Sequence, residues 1–256
     1  MVRRRRELLG GKPRPDCDAA GRGKRGTERG EPTPRQQVMG WIRSISLAVL
    51  VWLLFTSFLV KTFVIDSGSM EETLLVGDFV IVNRAALGGR VPLTDLRMPG
   101  YAEPERGDIM VFDPPHEDTL VLVKRLIGMP GDTLEMRAKA LFVNGEPQDE
   151  PYVFDTGLPD RHDSAMMWQQ DYLLGGVRDG YLPTRDTWGP IVIPPNHYLM
   201  MGDHRDDSLD SRTWGLVERW RLEGRVAAIY FSYNRSSFRP FPWIKEVRAE
   251  RIGKRF

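Results

Sequence analysis

The 256-residue sequence has a single cysteine, Cys17, and only four histidines. A lone thiol closes no internal disulfide and, without a second one, builds no cysteine-based zinc or redox site. His116-Glu117 lacks the second histidine that a zinc-protease helix requires. Asp203, Asp206, Asp207 and Asp210 lie close together, but the glycine and the ligand spacing of a calcium loop are missing. No glycine-rich loop ends in Lys-Ser or Lys-Thr, so nucleotide phosphates find no cradle. Neither a metal nor a cofactor is therefore expected. Net charge is almost absent too, with 36 Lys+Arg against 35 Asp+Glu. A nucleic-acid-binding body would carry excess positive charge on its folded part, so no nucleic-acid partner is expected. Hydrophobic residues at 41% are enough for a core and exclude disorder throughout.

The near-zero balance hides a division. Residues 1–43 hold 12 basic and 5 acidic side chains, net +7, and the rest hold 24 and 30, net −6. Arg3, Arg4, Arg5 and Arg6 are followed by Gly, Pro, Arg and Lys with little apolar content, so residues 1–40 read as a disordered basic tail. Attraction to acidic lipid headgroups and a merely solvated arm both fit that composition.

Long apolar runs are equally scarce: there is one. Residues 45–60 carry no charge, and extension to 42–65 admits only Arg43 and Lys61, near the ends where they can snorkel. A crossing needs about 20 apolar residues, and this run is apolar on every side rather than along one stripe. Residues 41–65 are thus expected to form a transmembrane signal-anchor helix. The basic tail places the N-terminus in the cytoplasm and the chain after Lys61 outside it. A cleavable leader competes, since Ser67, Gly68 and Ser69 are small. The long charged region before the run, and a run above roughly 7–15 residues, weigh against it.

Beyond the run the pattern is short β-like segments at residues 79–82, 109–112, 120–123, 141–143, 191–193, 198–201 and 226–231, separated by turn residues. Asn144-Gly145 is a hairpin signal. The expected fold is mainly β, an antiparallel sheet domain over residues 66–256. Residues 146–190, rich in Pro, Asp and Gly, make an irregular excursion from it.

Three constellations carry chemistry. Ser67-Gly68-Ser69-Met70 stands just beyond the anchor, followed by Thr73 to Asp78; alone it is an ordinary loop sequence. Leu122-Val123-Lys124-Arg125 ends an apolar run in a lysine, which is either a strand end meeting water or a partly buried amine whose charged form is disfavoured. Gly202-Asp203-His204-Arg205-Asp206-Asp207-Ser208-Leu209-Asp210-Ser211-Arg212 is either a solvated charged turn or a hydrogen-bonded network that supports a site.

In order and spacing, these three segments together with the apolar run and residues 107–112 resemble bacterial type I signal peptidase, the membrane-bound Ser/Lys endopeptidase of exported proteins. The resemblance implies that Ser69 is the nucleophile and Lys124 the general base. Ser67 would supply an oxyanion-hole hydroxyl beside the Ser69 backbone N–H. Ser208 would orient the lysine, and Asp210, Arg212 and Arg125 would form a supporting ion-pair cluster. It further implies a substrate strand between the segments leading to Ser69 and to Lys124, with Ile65, Met70, Leu74, Leu122 and Val123 lining small apolar pockets for small-x-small sites. The implied partners are signal peptides of exported preproteins, the lipid bilayer and the secretion translocase. The implied location is the bacterial cytoplasmic membrane, single-pass, with the catalytic domain outside.

The chemistry of the residues agrees. Serine is a poor nucleophile until a base takes its proton, and a neutral amine can do so without histidine. That amine must titrate near 7–8 rather than its usual 10.4. Ser67, two residues before Ser69, projects to the same face of an extended segment, where a developing oxyanion needs donors.

Two positions depart from the family pattern. Glu72 stands where the family usually has proline, which removes a φ-fixing residue and is expected to bring a carboxylate near the lysine. His204 stands where asparagine is commoner. Two rival functions follow. Self-cleaving repressors share the Ser/Lys chemistry but need an N-terminal DNA-binding segment that residues 1–65 do not offer. A tethered, non-catalytic β-domain that binds export partners is kept open by Glu72.

Overall fold

The computed structural model describes residues 34–58, 60–88, 99–117 and 119–256. Helix α1 (Pro34–Phe58) is followed by strand β1 (Val60–Val64), and then β2 (Asp78–Asn83), β3 (Ile109–Phe112) and β4 (Leu122–Gly128). A second group holds β5 (Thr133–Arg137), β6 (Ala140–Val143), β7 (Glu146–Pro147) and β8 (Trp188–Val192). The chain returns through β9 (His197–Met201), the short helix α2 (Ser211–Trp214), β10 (Val217–Glu218) and β11 (Leu222–Ser232). Seven strands make one sheet in the order β1-β2-β11-β3-β4-β9-β10, and four make another, β7-β6-β5-β8. All of these pairings are antiparallel, as expected for a mainly β protein.

The expected strands are present with shifted limits. The segment expected at 120–123 begins at Leu122 and runs on to Gly128, so Lys124 is a strand-interior residue and not a strand end. Its position is set by the register with β3, in which Lys124 faces Met110 and Arg125 faces Ile109. In β2 the inward residues Asp78, Val80 and Val82 alternate with half-buried ones, the period-2 pattern of a sheet with one face on a core. The Asn144-Gly145 pair has positive φ at both residues and turns β6 into β7, the geometry of a primed hairpin turn. The 146–190 excursion is less irregular than its composition suggests. A 3-10 segment, Ser164–Tyr172, buries Met166, and Trp188 enters β8, both packing on Leu134, Ile191 and Leu199.

The N-terminal expectations need correction at their limits. The helix begins at Pro34, inside the segment expected to be disordered, while residues 1–33 lie outside the described residues. It ends at Phe58, and Val60–Val64 pairs with β2 instead of continuing the helix to residue 65. β-Branched Val60, Thr62 and Val64 fit a pleated strand better than a helical turn. Among the described residues no helix is long and apolar enough to cross a membrane. The side chains of residues 54–58, in the middle of the expected span, lie outside the described ones. The chain forms two units that divide within α1, with Leu47–Phe256 making the second.

Candidate active site

The segment that carries Ser67 and Ser69 leaves β1 through a hairpin base. Ile65 donates its N–H to the Asp78 carbonyl at 2.9 Å and accepts from Gly77 at 2.9 Å. The chain then closes a turn in which the Leu74 N–H reaches the Met70 carbonyl at 2.7 Å. Met70 and Leu74 anchor that turn in a core with Ile65, Val80 and Ile109. Asp78 clamps it from below, accepting from the Leu75 N–H at 2.8 Å, Ser232 at 2.7 Å and Arg251 at 2.6 Å. Glu72, inside the turn, has φ +72°, a left-handed backbone that proline cannot adopt. Its side chain is exposed.

Lys124 Nζ lies 2.5 Å from Ser69 Oγ, across 55 residues of sequence. Lys124 is 3% exposed and Ser69 7%. Burial disfavours the charged amine and lowers its pKa from 10.5 to about 8. Asp210 and Asp203 oppose that shift and Arg212 adds to it; Glu72 is not among the charges that act on it. The Ser67 hydroxyl stands 3.4 Å from that of Ser69, so the two face one point.

Around this pair are two ion pairs rather than one cluster. Asp210 caps α2, accepts the Gly202 N–H at 3.0 Å, and grips Arg212 through Nε and Nη2, both at 2.8 Å. Burial raises its pKa, but the Arg212 charge and hydrogen bonds outweigh this and hold the carboxyl below its ordinary value. Arg125 instead pairs with Asp203, at 2.8 Å and 2.6 Å, and reaches the Gly107 carbonyl at 2.8 Å. Thr73 also donates to Asp203, at 2.6 Å, so β4, the turn that follows Ser69 and the 202–212 loop meet at one carboxylate. Among the described residues no hydrogen bond joins Ser208 Oγ to Lys124, so the bond implied by the resemblance is not formed here. Ser208 instead packs against Gly202. A side chain at Gly202 would collide with Ser208 and with the Ser69 carbonyl, which is why glycine stands there.

Sequence reasoning missed what braces this loop from the excursion. Arg205 is buried and held by both oxygens of Glu150, at 3.0 Å and 2.6 Å. Phe154 exchanges backbone bonds with the loop, giving its N–H to Asp203 and accepting from Arg205. Trp168 Nε1 donates to the Arg212 carbonyl at 3.0 Å. No local pattern marks Glu150 or Trp168, since their partners lie more than 40 residues away. His204 is buried edge-on to the Phe154 ring, with Nδ1 3.4 Å from Glu71 and its backbone N–H on the Ser69 carbonyl.

A cleft of about 50 Å³ opens beside Ser67 and Ser69, walled by Phe63, Ile65 and Met70 on one side and Leu122 and Val123 on the other. Four of the five residues expected to line it do so. Leu74 lies fully buried in the core and is not part of the lining. Among the described residues no cluster of side chains could hold a metal ion.

A serine hydroxyl against a desolvated amine, with a second hydroxyl at the same point and an apolar cleft alongside, is the equipment of a serine hydrolase that uses an amine as its base. Comparison with known proteins narrows the class. Residues 38–231 match the family described as Signal peptidase, peptidase S26, and the chain belongs to that family. It is 36% identical over 208 residues to Signal peptidase I of Pseudomonas aeruginosa, covering 75% of this chain and 72% of that one. To Signal peptidase IB of Staphylococcus aureus strain COL it is 32% identical, covering 80% and 97%. To Signal peptidase I S of Bacillus subtilis strain 168 it is 30% identical, covering 78% and 92%. The chain is a serine endopeptidase that removes signal peptides.

Proposed function

We propose that this peptidase works through a Ser69/Lys124 dyad at small-x-small sites, anchored by its N-terminal helix in the bacterial cytoplasmic membrane. The observation that carries the dyad is the 2.5 Å approach of a buried amine to the Ser69 hydroxyl. Neutral Lys124 takes the Ser69 proton as Oγ attacks the scissile carbonyl. The Ser67 hydroxyl and the Ser69 backbone N–H stabilise the oxyanion. The Lys124 ammonium returns its proton to the leaving amine, which departs as the new N-terminus of the mature protein. Lys124 then deprotonates a water that releases the signal peptide from Ser69. Asp210 with Arg212 and Arg125 with Asp203 fix the loops on either side of the amine. Ser208, two residues before Asp210, would orient Lys124 once substrate closes the cleft.

The substrate adds as a strand between the two cleft walls. Ile65, Met70, Leu122 and Val123 make pockets that admit small side chains and exclude large ones. The anchor reading rests on α1, where Trp41, Ile42, Ile45, Leu47, Leu50 and Trp52 are all largely exposed and point in all directions. Apolar surface of that kind suits lipid as its cover. A bilayer around α1, with the basic tail on the cytoplasmic side, would place the catalytic body outside, beside the secretion translocase that delivers its substrates. Cleavage of a preprotein in detergent tests the dyad: Ser69→Ala and Lys124→Arg should each abolish it, because a guanidinium stays charged and accepts no proton. Retention of most activity by Lys124→Arg would reject the mechanism. External protease on sealed vesicles should digest the body and spare residues 1–33; the reverse would reject the topology.

A further inference from the structure

Among the described residues, the cleft wall contains one ionisable residue, Asp66. Its neighbours along the wall are apolar or hydroxylic: Val64, Ile65, Ser67 and Ser69. Ile65 is turned inward and 5% exposed, whereas Asp66 is exposed, so its carboxylate lies at the rim. Among the described residues no hydrogen bond or ion pair engages that carboxylate. The buried carboxylates near the site contrast with it: Asp78, Asp203 and Asp210 are each held by arginine. The nearest cation along the segment, Lys61, is turned onto the Phe63 ring, 4.7 Å from its centroid. The backbone at residues 66 and 67 is likewise unused: Ile65 spends its N–H and carbonyl on the hairpin, and no backbone bond among the described residues involves the next two. An incoming strand can therefore pair here and bring alternate side chains to the rim.

We infer that Asp66 sets a charge preference at the middle residue of the small-x-small site, favouring lysine or arginine there and disfavouring aspartate or glutamate. The inference rests on the reading above that the cleft holds the substrate strand. In an extended strand successive side chains point to opposite faces. The two small residues enter the pockets over Ile65 and Met70, so the residue between them faces the open rim where Asp66 stands. An unpaired carboxylate there attracts a cation and repels an anion through partly hydrated space. Each effect is that of an exposed charge pair, and together they amount to roughly a two- to twentyfold ratio in kcat/KM between lysine and glutamate.

The test uses the full-length enzyme in detergent and three preproteins that differ only in the middle residue, Lys, Ala or Glu. The Lys-to-Glu ratio of kcat/KM is read separately for wild type, Asp66→Asn and Asp66→Lys. It should favour lysine in wild type, fall close to one in Asp66→Asn, and reverse in Asp66→Lys. Raising salt to about 0.5 M should flatten the wild-type ratio, since screening shortens the reach of an exposed charge. A wild-type ratio near one, or a ratio that survives Asp66→Asn, overturns the inference. Ser69→Ala run on the same substrates separates the two claims. If it abolishes all cleavage while the ratios stay flat, the charge preference alone is wrong; if cleavage persists, the dyad reading itself falls.

Discussion

Replacing Lys124 with methionine should stabilise the protein at neutral pH while abolishing its activity. In the folded chain the amine titrates at about 8 instead of 10.5, chiefly because burial disfavours its charge. At about 1.4 kcal/mol for each unit of pH, that drop corresponds to roughly 3 kcal/mol set against folding. The sign follows from proton counting. Below pH 8 the amine is protonated in both folded and unfolded chains, and the folded state carries the whole cost. Between pH 8 and 10.5 the folded amine is neutral while the unfolded one is still charged, so stability rises through this window; above it the cost is gone. Methionine is similar in length, uncharged and adaptable in a gap, so it removes the cost without leaving a void. For a body of this size the gain at pH 7 should appear as a rise in Tm of about 6–10 °C. Thermal unfolding of both proteins in detergent, followed by tryptophan fluorescence at several values between pH 7 and 10.5, measures it. The gap should narrow steadily above pH 8. No gap at pH 7, or a gap that does not change with pH, would refute the claim that the site stores a desolvation cost in this amine.

With Lys124 as the proposed base, kcat/KM should climb about tenfold per pH unit below pH 8 and level off above it, measurable with one preprotein across that range. Ser67→Ala should lower kcat by roughly 10²–10³ with little change in KM, and Ser67→Thr far less, as steady-state kinetics on both variants would show. Glu72→Gly should raise stability by up to about 1 kcal/mol by relieving the left-handed backbone, whereas Glu72→Pro should lower it by more than that; neither should move the pH–rate limb, and denaturant titration with a pH profile checks both parts. Glu150→Ala should cost about 3–5 kcal/mol by leaving Arg205 buried and unpaired, with Glu150→Gln losing less, again by denaturant titration.

Sequence alone was enough for the fold class, because period-2 apolar runs and turn residues are local signals, and each expected strand corresponds to one in the structure. It also singled out Ser67, Ser69 and Lys124, which the fold then brings together. The end of α1 was harder. Residues 60–64 are as apolar as the helix before them, and only pairing with β2 decides that they are extended. The supporting residues were out of reach for a related reason. Whether Arg125 joins Asp210 or Asp203 depends on how the 202–212 loop folds against β4, and Glu150 and Trp168 act on the site only because the excursion folds back over it. Glu72 shows the same limit at a single residue, because the direction of its carboxylate is set by a positive φ that its sequence neighbours do not announce. Residue type and local period determine what a segment can do. Bonds between residues 50 or more apart, formed when the sheet closes, decide which of those capacities meet, and here they bring an amine from the interior of β4 within reach of a serine beyond β1.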